Sequence, residues 1–115
     1  MLVAFLGNDK ESWGQVSALI NRGTWDKVLI VKSKDSEDFP LEATTIKIDT
    51  KQTISELKED IISKLKEKLS SELEVALSIA AGNGKEHMAL ISALLTIPVG
   101  IRLVAYTKKG LEYIN

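Results

Sequence analysis

Residues 73–107 read LEVALSIAA (73–81), GNGK (82–85), EHMALISALLTI (86–97), then Pro98, Val99 and GIRLVAYT (100–107). The first apolar run predicts a strand and the glycine-rich tetrapeptide a turn. The second run predicts a buried helix that Pro98 stops, and the third a second strand. Strand, turn, helix, strand is a βαβ unit, which in one sheet implies parallel strands joined by a right-handed crossover. The turn falls where open α/β sheets place ligands, beyond the carboxyl end of a strand and at the start of a helix.

The rest of the chain repeats that alternation. Leu2–Leu6 (LVAFL) is wholly apolar, as expected for a strand covered on both faces. Gly7-Asn8-Asp9 makes a turn in which Asn8 or Asp9 caps a helix over Lys10–Asn21. Trp13, Val16, Leu19 and Ile20 are spaced to share one face of that helix, and Gly23 ends it. Val28–Val31 is a second buried strand, and Lys32–Pro40 reads as a charged solvent loop. Thr44–Asp49 alternates, with Ile46 and Ile48 inward, as an edge strand does. Thr53–Ser70 is the clearest helix. Its stripe is Ile54, Leu57, Ile61, Leu65 and Leu69, and Thr53 with Glu56 fits a capping box. Its Lys and Glu face is a solvated one. Lys108-Lys109-Gly110 predicts a tight turn into a last strand, Leu111–Ile114, antiparallel to its neighbour. Together these elements predict one domain over residues 1–115: α/β, an open, mostly parallel sheet with helices on both faces.

Composition narrows the function classes. With 15 basic against 16 acidic residues and a net charge of −1, the chain carries no global field to draw duplex nucleic acid, so any anion site is local. It has no cysteine and a single histidine, His87, which argues against thiolate or polyhistidine metal sites. No cofactor is implied. No apolar stretch approaches the roughly 18 residues of a membrane span, and the start lacks a basic leader, so the expected compartment is the cytosol.

Two phosphate-binding motifs do not fit the glycine turn. In a Walker loop ending at Gly84-Lys85 the leading glycine would be Ile79 and the residue after the lysine would be Ser or Thr, whereas here it is Glu86. In a dinucleotide fingerprint starting at Gly82 and Gly84 the third glycine position is His87. Gly82, Asn83 and Gly84 still let backbone N–H groups approach an anion, with Lys85 adding a full charge. A tight turn with Lys85 in solvent accounts for the same residues. If the first and fourth strands are neighbours, Gly7, Asn8 and Asp9 line the same crevice, with Ser12 and Trp13 beside Gly82 and Lys85. Trp13 is then either a base-stacking surface or a core residue.

Ala81-Gly82-Asn83-Gly84-Lys85, followed by Glu86-His87-Met88-Ala89-Leu90, resembles the ligand turn of CRISPR-associated Rossmann-fold (CARF) domains, in which Thr-Gly-Gly-Thr-Lys precedes a helix with an early methionine. Val3-Ala4-Phe5-Leu6-Gly7-Asn8 is similar to the family's first ligand loop. The resemblance covers nearly the whole chain; Ala81, Asn83 and Gly84 depart from the pattern. It implies a Rossmann-like fold, a homodimer and a cyclic oligoadenylate ligand of type III CRISPR signalling, bound across a twofold axis. It further implies metal-independent ring cleavage in some members through the ligand's own 2′-hydroxyl. Lys85 would then stabilise charge, and Asn8 or Ser12 would position the ring. Two other readings stand beside it: a small nucleotide- or phosphate-binding module outside CRISPR, and a dimerisation domain whose turn binds nothing.

Overall fold

A computed structural model describes residues 1–115. Six strands form one sheet: β1 (Leu2–Leu6), β2 (Val28–Ser33), β3 (Thr44–Ile48), β4 (Glu74–Ser78), β5 (Gly100–Thr107) and β6 (Gly110–Tyr113). Their spatial order is β3-β2-β1-β4-β5-β6, parallel throughout except for the antiparallel β5–β6 hairpin. This is the Rossmann-like order, in which the direction of winding reverses between β1 and β4. The three helices are α1 (Trp13–Arg22), α2 (Ile54–Leu65) and α3 (Gly84–Thr96), with a 3-10 turn at Lys10–Ser12 before α1.

Right-handed crossovers in opposite directions put helices on opposite faces. α1 covers one face, where Trp13 and Val16 pack on Ala4, Leu6 and Ile30, and Leu19 packs with Leu2, Ala76 and Val104. α2 and α3 cover the other through Leu57, Ile61, Leu65, Leu90 and Leu94, against Val3, Phe5, Leu29, Val31, Val75 and Leu77. Every residue of β1 is fully buried, as its unbroken apolar run requires. Ile46 and Ile48 of β3 point inward, and Thr53 with Glu56 forms the capping box that starts α2.

Several boundaries move from the sequence expectation. Residues 10–12 form a 3-10 turn rather than α-helix, with Asp9 accepting from the Glu11 backbone N–H. α2 stops at Leu65, and residues 66–71 continue as turns. Ile54 lies at the solvent edge of its stripe rather than in the core. β4 is shorter than its apolar run: Leu73 is 93% exposed, and Ile79–Asn83 leave the sheet. α3 starts at Gly84, because Asn83 is its N-cap.

The β2–β3 connection, Lys34–Ala43, contains no helix, so a strap of chain covers that part of the α1 face, packing Phe39 and Ala43 on it. At the opposite end of the sheet β5 runs past the end of β4. There the Gln15 side chain stands in for a strand: its Nε2 donates to the Tyr106 carbonyl at 2.7 Å and its Oε1 accepts from the Tyr106 N–H at 3.1 Å. No helix is long and apolar enough to cross a membrane.

Candidate binding site

The turns after β1 and β4 meet at the switch point. They approach so closely that a Cβ on Gly7 would lie 2.7 Å from the Gly82 nitrogen and 2.9 Å from its Cα. Gly82 has φ +98°, and a Cβ there would lie 2.7 Å from Phe5 Cδ1. Both positions therefore require glycine, one for the contact and one for conformation as well. Gly84 does not: nothing lies within 4 Å of a Cβ built on it.

Above this contact opens a cleft of about 330 Å3, lined by Gly7, Asn8, Asp9 and Ser12 from the first turn and by Ala80, Gly82, Asn83 and Glu86 from the second. Six of these eight, Gly7, Asn8, Asp9, Ser12, Gly82 and Asn83, are positions picked out in the sequence. Ala80 and Glu86 are additions. Glu86 is 8% exposed and serves the α3 cap: its Oε1 accepts from the Asn83 N–H at 2.8 Å, while Asn83 Oδ1 accepts from the Glu86 N–H at 2.9 Å. The signal was the Asn83-x-x-Glu86 spacing of a capping box. Replacing Asn83 with Ala is expected to lower the unfolding free energy by about 1 kcal/mol, measured by urea denaturation.

Lys85, Trp13 and Gly84, picked out in the sequence, stand outside the cleft lining, as does the lone histidine, His87. The Lys85 ammonium turns away from the cleft and donates to the Thr50 carbonyl at 3.0 Å, tying α3 to the turn after β3. Trp13 is 8% exposed; its indole N–H donates to the Gly7 carbonyl at 2.7 Å and its ring meets Phe39 edge-on at 5.8 Å. It braces the cleft floor from behind and offers no face for a base to stack on. His87 Nε2 lies 2.7 Å from the Ala81 carbonyl, so that nitrogen carries a proton and pins the second turn. Ser12 is in the cleft, but its hydroxyl donates to the Asp9 carbonyl at 2.7 Å.

The electrostatics follow from these placements. The lining holds two carboxylates, Asp9 and Glu86, and no cation. One oxygen of Asp9 is engaged by the Glu11 N–H and one oxygen of Glu86 by the cap. The N–H groups of Gly84 and Lys85, in the first turn of α3, have no partner within the helix. The cleft is thus rich in acceptors, and the free N–H groups of Gly84 and Lys85 follow directly on the lining residue Asn83.

Beside the cleft lies a residue expected in solvent. Lys32 is not in a loop: it extends β2 and is fully buried. It occupies the same face as Ile30, two residues earlier, and the strap covers it. Its ammonium donates to the carbonyls of Ser36 at 2.9 Å and Ser33 at 3.3 Å and meets no carboxylate. Burial pushes its pKa below the ordinary lysine value; Lys47 nearby adds to the effect and Asp38 opposes it.

Fold and cleft define a Rossmann-like domain with an open switch point. Compared with known proteins, the chain matches no family model and no curated relative.

Proposed function

We propose that the switch-point cleft binds an adenine nucleotide of the cyclic oligoadenylate class, one ring being shared by two copies of the chain. The observation that carries this reading is the meeting of the Gly7 and Gly82 turns beneath an acceptor-rich cleft. Asp9 and Glu86 accept from hydroxyl and amino groups, so they suit ribose hydroxyls and the adenine amino group. Phosphate oxygens would be repelled by these carboxylates and drawn instead to the N–H groups of Gly84 and Lys85. A cyclic, symmetric ligand matches a symmetric pair of such clefts.

The same geometry favours binding over turnover. The Ser12 hydroxyl hydrogen is engaged by the Asp9 carbonyl, His87 faces the Ala81 carbonyl, and Lys85 is held at Thr50. The cleft's own carboxylates, Asp9 and Glu86, each with one oxygen engaged, are the lining groups able to take a proton from a 2′-hydroxyl, and the lining holds no cation to stabilise the charge that would develop in cleavage.

The test is to incubate the protein with labelled cyclic tetra-adenylate and cyclic hexa-adenylate and to separate bound, free and cleaved species. Retention of one ring per two chains without linear product is the expected result, weakened by Asp9→Ala. Linear product ending in a cyclic phosphate would make the protein a ring nuclease. Retention of neither ring at micromolar protein would overturn the reading. Titration with AMP and ATP would then test the mononucleotide alternative.

A further inference from the structure

The strap Lys34–Ala43 carries four carboxylates, Asp35, Glu37, Asp38 and Glu42. Three of them pair with lysines on three separate elements beneath. Glu37 pairs with Lys10 of the 3-10 turn, Asp38 with Lys47 of β3 at 3.8 Å, and Asp35 with Lys51 of the following turn at 4.0 Å. Lys32 of β2 lies under the same strap, its ammonium hydrogen-bonded only to carbonyls. One pairing has the opposite sense: Lys34 of the strap lies 3.8 Å from Asp49.

These lysines form a row that begins at the cleft. Lys10 adjoins Asp9, which lines it. Lys32 is in register with Leu6, the residue before Gly7, and Lys47 is in register with Lys32. The row supplies the positive charge that the cleft lacks. The ion pairs of its cover are weak, since Asp38 is 91% exposed and Lys51 83%, and pairs so open to water contribute little, which leaves the packing of Phe39 and Ala43 as the main hold on the strap. Lys32 differs: a buried ammonium that hydrogen-bonds only to carbonyls, with Asp38 acting on it from a distance, is held at a cost that a phosphate in direct contact would relieve.

We propose that the row Lys10, Lys32, Lys47 is a phosphate-binding subsite continuous with the cleft, and that the acidic strap occupies it in the free protein as an internal substitute for the ligand's phosphates. This rests on reading the cleft as a nucleotide site. The strap must move for the subsite to fill, so removing its charge favours the ligand.

Inorganic tripolyphosphate, which has no nucleoside, tests the subsite apart from the cleft. Its affinity is measured by calorimetry at low and high salt for the native chain and for the variant Asp35→Asn/Glu37→Gln/Asp38→Asn. A control, Glu59→Gln/Glu67→Gln/Glu74→Gln, changes the net charge equally at exposed positions elsewhere. The strap variant is expected to bind about ten-fold more tightly at low salt, with the gain shrinking as salt rises, while the control gains far less. Adding Lys47→Gln, an exposed position whose loss leaves the core intact, is expected to reverse the gain, as is adding Lys32→Met. Equal affinities for the strap variant and the control would overturn the proposal, as would a gain indifferent to Lys47→Gln. A tripolyphosphate gain in a protein that retains no oligoadenylate would uphold the subsite while removing the cleft reading. Oligoadenylate binding unaffected by strap and lysine substitutions would do the reverse.

Discussion

Trp13→Ala is expected to lower the unfolding free energy by about 3–5 kcal/mol, the range for removing a large aromatic side chain from a core. Most of that loss is apolar. The ring packs with Ala4, Leu6, Val16 and Ile30 and carries Phe39 of the strap on its edge. The remainder is the indole hydrogen bond to the Gly7 carbonyl, about 1 kcal/mol for a neutral pair. Trp13→Phe divides the loss in two, since it keeps part of the ring packing and removes the donor together with the rest of the indole. Urea unfolding of the three proteins checks the order: native, then Phe, then Ala, with the larger step between Phe and Ala. A larger step between native and Phe would mean that the indole's second ring and its donor, not the shared ring packing, hold the cleft floor.

Gly7→Ala is expected to destabilise by about 3 kcal/mol, the upper part of the range for overpacking, and to abolish ligand binding at the cleft. The nearest atoms to the added methyl would be the nitrogen and Cα of Gly82 at 2.7 and 2.9 Å. Backbone cannot rotate aside as a side chain can, so the two turns must part. Gly82 is wedged from beneath by Phe5 and flanked by Glu86 and His87, and has little room to retreat. Gly84→Ala is the matched control for stability: nothing lies within 4 Å of its added methyl, and it is expected to stabilise α3 slightly by its better helix propensity. Melting temperature and retention of cyclic tetra-adenylate report both effects.

Much of the fold was legible because its signals are local. Unbroken apolar runs named the central strands β1 and β4, alternation named β3 an edge strand, and Thr53 with Glu56 marked where α2 begins. The site was legible as two turns, and its geometry depended on the adjacency of β1 and β4, a tertiary fact. The roles of neighbours at the second turn were exchanged: Lys85 was expected in the cleft and Glu86 only beside it. The cause is helix phase. With Asn83 as N-cap, Glu86 folds back to the Asn83 N–H, while Lys85 projects toward Thr50. Starting the helix at Glu86 hides that geometry, although the spacing of Asn83 and Glu86 was present to be read. Lys32 escaped for another reason. Hydropathy ends the strand at Val31, and only the strap, which packs Phe39 from seven residues further on, makes a lysine at the next position an interior one.

The amide of Gln15 gives α1 a mechanical part in the molecule. β1 and β4, the two strands at the seam between the halves of the sheet, are paired over only three positions, Leu2 with Ala76, Val3 with Leu77 and Ala4 with Ser78. Beyond Ala4 nothing in the sheet itself joins the halves on the cleft side. α1 bridges that gap from above: Trp13 grips the end of β1 and Gln15, two residues on, grips β5. The first turn of one helix therefore acts as a brace across a split plank. It fixes how wide the seam can gape, and any spreading of the cleft must first strain or release one of those two grips.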